Sequence, residues 1–272
     1  HHQTKSPVKS SPMKLDNKIY NCDNREVFLK LRDNSIDMIL TDPPYKDYQS
    51  NRPVLHSKVK KIHESDFDLP FFIAQSARVL KPGGHFYCWC DHYTFPEIYN
   101  EILNLREIAK VTTSTDSRVK SRVFLHYKNC LIWIKNNHGS GDLRGNYAPQ
   151  HELVIFACKG PKGRPLNGKR PSNVLFKRTD SGIEFFKRVS NYKYQHGTSK
   201  PVEILEQFIL SSTDPGEIVF DPYAGSMSTG EACILNDRKY LLVEIDGDFY
   251  NSGLERLNKV TMLKEKLERE SQ

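Results

Sequence analysis

Residues 33–45 read DNSIDMILTDPPY, and this stretch decides the fold that the sequence predicts. Residues 33–35 are typical of a turn, and residues 36–41 form an apolar run of the length that a buried strand has. The two prolines after Asp42 cannot continue a central strand, because proline lacks the N–H group that a sheet ladder needs. The stretch therefore predicts a buried strand that ends at residue 41 and carries an acidic residue at its carboxyl end.

Strands and helices alternate along the rest of the chain. Short apolar runs predict further strands at 18–22, 85–90, 130–134, 152–157, 218–220 and 240–244. Helical spacing of apolar residues predicts helices at 25–31, 68–80, 95–105, 201–210, 230–235 and 249–267. This alternation is typical of an α/β fold in which a mostly parallel sheet carries helices on both faces. Ligands bind such sheets at the carboxyl ends of the strands, which is where Asp23, Asp42, Gly225 and Glu244 fall.

The composition narrows the class of partner. The chain has 272 residues, with 40 Lys and Arg against 33 Asp and Glu, and its net charge of +7 favours a polyanion. Six cysteines without a C-x-x-C pair are typical of a reducing compartment. No apolar run approaches the roughly 18 residues of a membrane span. We interpret residues 1–13 as a disordered lead-in that begins with a tag remnant, and residues 14–272 as one domain with a sizeable insertion.

The motif Asp42-Pro43-Pro44-Tyr45 suits the activation of an exocyclic amine on a base. Such an amine is a poor nucleophile because its lone pair is delocalised into the ring. The Asp42 carboxylate and the Pro43 carbonyl could each accept a hydrogen bond from one N–H group of the amine and so localise the lone pair on its nitrogen. Tyr45 offers an aromatic face on which a base that has left the duplex can stack. The alternative interpretation is a strand followed by a proline turn without a catalytic role.

A second motif, FDPYAGSMSTG at residues 220–230, follows another predicted strand. A strand that runs into a Gly- and Ser-rich turn and then a helix leaves backbone N–H groups for a carboxylate at the helix N-terminus. The next strand ends at Glu244, where an acidic side chain can accept hydrogen bonds from the two hydroxyls of a ribose. Taken together, the two motifs outweigh the interpretation of each as an ordinary strand end.

The order of these motifs resembles a known family. The chain shows NCD at 21–23, DPPY at 42–45, RVLKPGG at 78–84, TSKP at 198–201 and DPYAGS at 221–226. This pattern resembles the permuted β class of amino-group DNA methyltransferases, in which the catalytic motif precedes the cofactor motif. The resemblance implies a Rossmann-like, mostly parallel seven-stranded sheet of the class I methyltransferases, with S-adenosylmethionine as cofactor. It also implies a target-recognition region inserted at about 112–197.

The resemblance assigns cofactor contacts as well. Asp23 would contact the cofactor adenine, and Glu244 would hold the ribose hydroxyls. The methionine carboxylate would be reached by Thr198, Ser199 and Lys200 and by the turn of Tyr223, Ala224, Gly225 and Ser226. Asp221 is a further expected cofactor contact. Residues 133–137 and the pair His151-Glu152 resemble the middle region of the family.

One residue departs from the family pattern. The family usually has a second glycine two positions after Gly225, and this chain has Met227 there. A side chain at that point would crowd the cofactor if the position needs a positive φ, and a partner chain or DNA would then have to complete the site. The departure leaves open a catalytically silent DNA-binding subunit of a methyltransferase complex as an alternative.

The first residue of the catalytic motif indicates the target base. In the family that this chain resembles, aspartate accompanies methylation of adenine N6, whereas serine more often accompanies methylation of cytosine N4. Asp42 therefore favours an adenine methyltransferase that acts on a flipped base in double-stranded DNA, with a cytosine-N4 enzyme as an alternative. RNA adenosine methyltransferases, a further alternative, share the motif order but typically end the motif in tryptophan, where this chain has Tyr45.

Two basic regions are the expected DNA contacts. The first, residues 46–64, directly follows the catalytic motif and contributes Arg52, Lys58, Lys60 and Lys61. The second, residues 159–200, lies between the two motifs and interleaves cations with aromatic residues. Its expected contacts are Lys162, Arg164, Lys169, Arg170, Lys177 and Arg178. The alternative interpretation of the second region is a solvated loop.

The remaining expectations concern metals, assembly and location. Cys88 and Cys90 precede Asp91 and His92, but structural zinc usually needs C-x-x-C pairs, so we expect no metal. The resemblance is compatible with a homodimer. It points to a bacterial or phage enzyme, either an orphan or the modification enzyme of a restriction system. We therefore expect a cytoplasmic, nucleoid-associated protein.

Overall fold

An eight-stranded sheet forms the centre of the computed structural model, which describes residues 13–44, 67–112, 122–139, 144–189 and 199–272. The strands are β1 (Lys18–Tyr20), β2 (Ile36–Thr41), β3 (Leu80–Cys90), β4 (Leu125–Ile134), β5 (His151–Lys159), β6 (Val174–Leu175), β7 (Lys177–Thr179), β8 (Gly182–Glu184), β9 (Ile218–Asp221) and β10 (Lys239–Val243). The helices are α1 (Asn24–Lys30), α2 (Leu69–Val79), α3 (Thr94–Thr112), α4 (Val202–Ser212), α5 (Ser228–Leu235) and α6 (Gly247–Glu270). The expected lead-in lies outside the described residues, apart from Met13.

The strand order in the sheet is β1-β10-β9-β2-β3-β5-β4-β6, and β7 pairs with β8 in a separate hairpin. The first five strands in this order are parallel, whereas β5 is antiparallel to both of its neighbours. This confirms the predicted mostly parallel α/β sheet. The expected number of seven strands is one too few: all seven are present, and β6 adds an eighth strand of two residues beside β4. Two residues are too short to leave a periodic signal in the sequence.

Alternate side chains of the central strands face two different layers of helices. Ile39 and Phe86 are buried on the face that α1, α2 and α3 cover. Met38 and Tyr87, their neighbours in the same strands, are buried on the face that α4 and α5 cover. α6 packs beside α5. Helices therefore lie on both faces, as the alternation of elements predicts.

Local signals set the end of α2 and the start of β3. The Asp68 side chain accepts a hydrogen bond from the Phe71 N–H at the start of α2. The helix ends at Val79, just before Pro82 and two glycines. Gly83 has a φ of +78°, and a Cβ there would lie 3.0 Å from a backbone nitrogen. Gly83 lies in the irregular first part of β3, and the backbone of Arg164 can approach it this closely only because the position has no side chain.

The range 112–197, the expected target-recognition insertion, is divided by the sheet. β4 and β5 fall within this range and are strands of the central sheet. The described parts that leave the sheet lie mainly at 135–139, 144–150 and 160–189. Because β5 is antiparallel to β3, its first residues lie at the edge where β2 and β3 end.

Candidate active site

Four neighbouring strands bring expected site residues to one edge of the sheet. β1, β10, β9 and β2 are adjacent and parallel, so that their carboxyl ends meet. Asp23, Glu244, the turn at 222–227 and Asp42 follow these four ends. A hydrogen bond of 2.7 Å from the Thr41 hydroxyl to Asp221 joins the two motifs across 180 positions of sequence.

The catalytic motif begins on a buried support at the end of β2. Thr41 and Pro43 are buried, and the side chain of Asp42 is 19% exposed. One carboxylate oxygen of Asp42 lies 3.3 Å from the ammonium nitrogen of Lys200. Tyr45 lies outside the described residues, and its stacking role stays a prediction.

Asp221, the last residue of β9, holds the turn at 222–227 in place; we refer to this turn as the cofactor turn. Its carboxylate accepts hydrogen bonds from the Thr41 hydroxyl, the Thr229 hydroxyl and the Tyr223 N–H, at 2.7, 2.7 and 3.1 Å. Burial raises the pKa of Asp221 to about 7, because the charged form loses hydration that these hydrogen bonds do not fully replace. Asp221 is therefore a buried group that holds the turn, and its contact with the cofactor stays a prediction.

Glu244 closes the turn from the neighbouring strand. One carboxylate oxygen accepts the Gly225 N–H at 2.7 Å, and the other accepts the Asp246 N–H at 2.9 Å. Gly225 has a φ of +51°, a conformation that favours glycine. Burial raises the pKa of Glu244. Each carboxylate oxygen can accept two hydrogen bonds, so Glu244 retains the capacity to accept from ribose hydroxyls.

Met227 occupies the position where the family has its second glycine. Its φ is +63°, so the position does require the left-handed conformation. The side chain is fully buried, however, and packs with Leu242 and Leu257 in the core between α5, α6 and β10. A Cβ on Gly253 of α6 would lie 2.1 Å from Met227 Cγ. Because Gly253 has no side chain, the Met227 side chain fits into this core. It therefore does not crowd the side of the turn where the strands end.

Hydroxyl groups and a guanidinium surround the start of α5. The Ser199 hydroxyl donates to Ser226 Oγ at 2.9 Å, and Ser226 Oγ lies 3.1 Å from Ser228 Oγ. From α6, the Arg256 guanidinium donates to the Ser226 carbonyl at 2.7 Å and to Glu231 at 2.6 Å. Hydroxyls at a helix N-terminus are donors that suit a carboxylate. Thr198 lies outside the described residues.

Lys200 lies between the catalytic motif and β5. Its ammonium contacts the carboxylates of Glu152 and Asp42, and its nitrogen stands 4.9 Å from the centre of the Trp89 ring. Glu152 also pairs with Lys135 at 2.7 Å. The structure places Lys200 on two carboxylates of this chain, and the contact with the methionine carboxylate that the resemblance implies stays a prediction.

Lys135, Glu152 and Arg256 belong to the site although none of them is among the residues predicted from the sequence. Glu152 had a usable signal, because the pair His151-Glu152 resembles the middle region of the family. Arg256 had none, since one arginine in a helix with many charges has no distinguishing pattern.

Asp23 caps α1 at the edge of the site. It accepts the Arg25 N–H at 2.9 Å, and its carboxylate pairs with the Arg25 guanidinium at 2.6 Å. The hydrogen bonds from Arg25 hold the pKa of Asp23 below its usual value. Its contact with the cofactor adenine stays a prediction.

Two of the expected DNA contacts lie where the parallel strands begin, at the edge of the sheet opposite the candidate site. Arg164 donates its N–H to the Gly83 carbonyl at 2.9 Å, and its guanidinium pairs with Asp214 and Glu217. Lys162 lies in the same segment, also beside Gly83. The chain leaves β5 at this edge because β5 is antiparallel to β3, so the structure does not bring Lys162 and Arg164 to the catalytic edge.

The other four described cations that were expected to contact DNA lie along α4. A groove of about 880 Å³ beside α4 is lined by Lys169, Arg170, Phe176 and Arg178, and the Arg178 guanidinium lies 5.2 Å from the centre of the Phe176 ring. Lys177 pairs with Glu203 in the first turn of α4. The remaining expected contacts lie outside the described residues, namely Arg52, Lys58, Lys60 and Lys61.

The described ranges contain no group of three or more His, Cys, Asp or Glu side chains that could hold a metal ion. Cys88 and Cys90 are buried in the core, and burial raises the pKa of both thiols. Among the helices that the structure describes, none combines the length and apolar character that a membrane span requires.

Comparisons with known proteins agree with this arrangement. A sequence model of the DNA methylase family N6_N4_Mtase matches residues 36–255. The DNA adenine methyltransferase YhdJ of Escherichia coli K12 is 28% identical over 240 residues, which cover 84% of this chain and 78% of YhdJ. The type II methyltransferase M.HpaI of Haemophilus parainfluenzae is 27% identical over 253 residues, which cover 87% of this chain and 73% of M.HpaI. The crystal structure of the M1.HpyAVI–SAM complex matches with a TM-score of 0.59 at 21% identity, over 88% of this chain and 99% of that one, and shows the shared fold.

Proposed function

We propose that this chain, which belongs to the N6/N4 DNA methylase family, transfers a methyl group from S-adenosylmethionine to adenine N6 in DNA. The observation that carries the proposal is the position of Asp42 and Pro43 at the end of β2, one strand away from the turn at 222–227. Two hydrogen-bond acceptors for an amine thus lie beside a turn whose acceptor and donor groups suit a ribose and a carboxylate.

The catalytic motif would hold and activate the amine. The Asp42 carboxylate and the Pro43 carbonyl each accept one N–H bond, which turns the nitrogen lone pair out of conjugation with the ring. The Lys200 ammonium, 3.3 Å from Asp42, stabilises the negative charge of the acceptor. The buried Thr41 and Asp221 fix the strand end on which both acceptors stand.

The residues beside β9 and β10 fit S-adenosylmethionine. Glu244 has acceptor capacity for a ribose diol. Of the hydroxyls of Ser226 and Ser228, one donates to the other, which leaves the second as a donor for a carboxylate. When bound, the cofactor supplies an electrophilic methyl group on its sulfonium. The chain holds the amine opposite that group, and positioning of two reactants contributes up to about 7–11 kcal/mol to catalysis.

Adenine is the base that two observations support. Aspartate heads the catalytic motif, and the relative YhdJ is named a DNA adenine methyltransferase. Double-stranded DNA with a flipped base is the proposed substrate form, because an amine inside the stack could not reach the strand end. The parts of the range at about 112–197 that leave the central sheet are the proposed target-recognition region. A homodimer is the proposed assembly.

Labelled cofactor and unmodified duplex DNA test the proposal. We expect methyl transfer by the wild-type protein and none by Asp42→Ala, which should still bind cofactor. Modification-sensitive sequencing of DNA from cells that express the protein should show N6-methyladenine in one short sequence. Label in cytosine would favour the cytosine-N4 alternative, and label in RNA but not DNA would favour an RNA enzyme. Binding of cofactor and DNA without transfer would indicate a silent subunit.

A further inference from the structure

Four charged side chains form an alternating row that starts at the catalytic motif. Asp42 contacts Lys200, Lys200 contacts Glu152, and Glu152 contacts Lys135. We refer to Asp42, Lys200, Glu152 and Lys135 as the charge row. Asp42 follows β2, and Lys200 lies in the segment before α4. Glu152 is the second residue of β5, and Lys135 directly follows β4.

The charge row is held out of water. The side chains of Lys200 and Lys135 are 7% and 15% exposed, and that of Glu152 is 22% exposed. Both ammonium groups also lie over indole rings, Lys200 at 4.9 Å from Trp89 and Lys135 at 5.5 Å from Trp133. Charges in such surroundings interact more strongly than on an open surface, and loss of one partner is costly.

Glu152 holds two cations apart and in place. Burial alone would raise the pKa of Glu152, but the ammonium groups of Lys200 and Lys135 outweigh it and lower that pKa below its ordinary value. Without the carboxylate, two like charges would face each other across a neutral gap. Lys200 would then lose the contact that directs its ammonium toward Asp42.

We propose that Glu152 is a positioning residue for methyl transfer, which acts through Lys200 to hold the Asp42 carboxylate in the orientation that accepts the amine. This inference rests on the proposed function. It differs from a role in cofactor binding, because the contacts of Glu152 lead to the catalytic motif. Lys135 is the second cation that balances the row, and it opens the segment that joins β4 to β5.

The test compares Glu152→Gln with the wild type at saturating cofactor and duplex DNA. Glutamine keeps the shape and removes the charge. We expect the single-turnover rate of transfer to fall about 10- to 100-fold, because a small misplacement of a reacting group has effects of this size. The dissociation constant for S-adenosylmethionine should stay within about threefold of the wild-type value. Glu255→Gln, which removes the carboxylate of an exposed pair with Lys259 on α6, is the matched control and should keep the wild-type rate.

A second pair of variants separates electrostatics from shape. Lys135→Met leaves the contact between Glu152 and Lys200, and we expect a fall in rate of no more than about threefold. In the Glu152→Gln background, Lys135→Met removes one of two facing ammonium groups and should restore the rate severalfold, a coupling that a purely structural role would not give.

Each remaining outcome contradicts the inference in a different way. An unchanged rate in Glu152→Gln would show that Glu152 does not act on the motif. A loss of cofactor affinity in proportion to the loss of rate would show that Lys200 serves the cofactor and that Glu152 acts there. If the wild-type protein binds DNA and cofactor but transfers nothing in the same assay, the proposed function fails, and the inference fails with it.

Discussion

The edge of the sheet where the parallel strands end is its carboxyl edge, and the edge where they begin is its amino edge. At the carboxyl edge, acidic side chains accept hydrogen bonds from backbone N–H groups. Asp23, Asp91 and Asp246 do so at the starts of α1, α3 and α6. At the amino edge, basic side chains donate to backbone carbonyls instead. Arg78 donates to carbonyls at the end of α1, and Lys159 donates to carbonyls at the end of α2. The two edges of one sheet thus carry opposite charges in equivalent roles.

The direction of the helices explains the difference. Helices that connect parallel strands run against the strands, so that their N-termini lie at the carboxyl edge and their C-termini at the amino edge. The unpaired groups are N–H donors at one end and carbonyl acceptors at the other, and the helix dipole has matching signs. Cations at the amino edge are therefore needed by the fold itself. A basic residue is therefore a candidate for DNA contact only where the fold does not already engage it. Arg164 is engaged by the carboxylates of Asp214 and Glu217, whereas Arg178 lies over the Phe176 ring in the groove beside α4.

The largest effect that we expect concerns Asp221, the buried acid of the carboxyl edge. Its folded-state pKa of about 7 lies above the ordinary value of 3.8, so the folded protein binds a proton that the unfolded chain releases between these values. This contribution to the free energy of unfolding is therefore full below about pH 4 and is lost as the pH rises through about 7, by up to about 4 kcal/mol. Urea denaturation of wild type and Asp221→Asn across pH 4–8 measures it. A stability difference between the two proteins that does not change with pH would contradict the assignment.

Lys159 tests the amino edge. Its buried ammonium donates to Asn34 and to two carbonyls at the end of α2. Lys159→Met leaves these acceptors without a donor, and we expect the free energy of unfolding to fall by about 2–3 kcal/mol. The control is Lys128→Met, which removes an exposed donor to the single carbonyl of Pro161 and should change stability by less than about 0.5 kcal/mol. Equal losses would show that burial at this edge is unimportant.

The next effect concerns the packing of the cofactor turn against α6. Gly253→Ala places a Cβ where Met227 lies, and overpacking of this kind destabilises by about 1–3 kcal/mol. In a Met227→Gly background the same substitution should instead stabilise by about 0.5–1 kcal/mol, because alanine is the better helix former. Thermal unfolding of the four proteins in this cycle gives the coupling. Additive effects would mean that the two positions are independent.

The smallest effect separates the two groups of cations directly. Arg178→Gln should weaken DNA binding about fivefold and reduce the slope of log affinity against log salt by about 1. Arg164→Gln should leave DNA affinity within about twofold while it lowers stability, because Arg164 pairs with Asp214 and Glu217. Fluorescence anisotropy with a labelled duplex across salt concentrations distinguishes them. Equal slopes for both variants would remove the distinction between the edges.

The parts of the fold that the sequence predicted have strong local signals. β2 is bounded by a turn and two prolines, and α2 stops before a Pro-Gly-Gly segment. The hairpin of β7 and β8 has strands of three residues within a run of cations, which is too short for a periodic pattern. α3 extends to Thr112 although its expected end was residue 105, because its last turns carry no stop signal.

The candidate site divides in the same way. Strand ends place Asp42 and Glu244, and a local pattern is enough to find both. The resemblance implies that Lys200 reaches the methionine carboxylate, and that contact stays a prediction. The contacts of Lys200 with Glu152 and Asp42 depend on the antiparallel direction of β5, which no local pattern of residues 151–159 reports. Charge pairs across distant elements are therefore the least predictable part of this site.

The pair Met227 and Gly253 has a consequence for how this sequence could have arisen. A methionine at the left-handed position of the turn packs without overlap where the facing helix has glycine, so a chain with alanine at 253 would be destabilised by about 1–3 kcal/mol on accepting it. The less costly order of substitutions is therefore glycine at 253 first and methionine at 227 second. Ancestral reconstruction along this branch should therefore find the glycine of α6 to be older than the methionine of the turn.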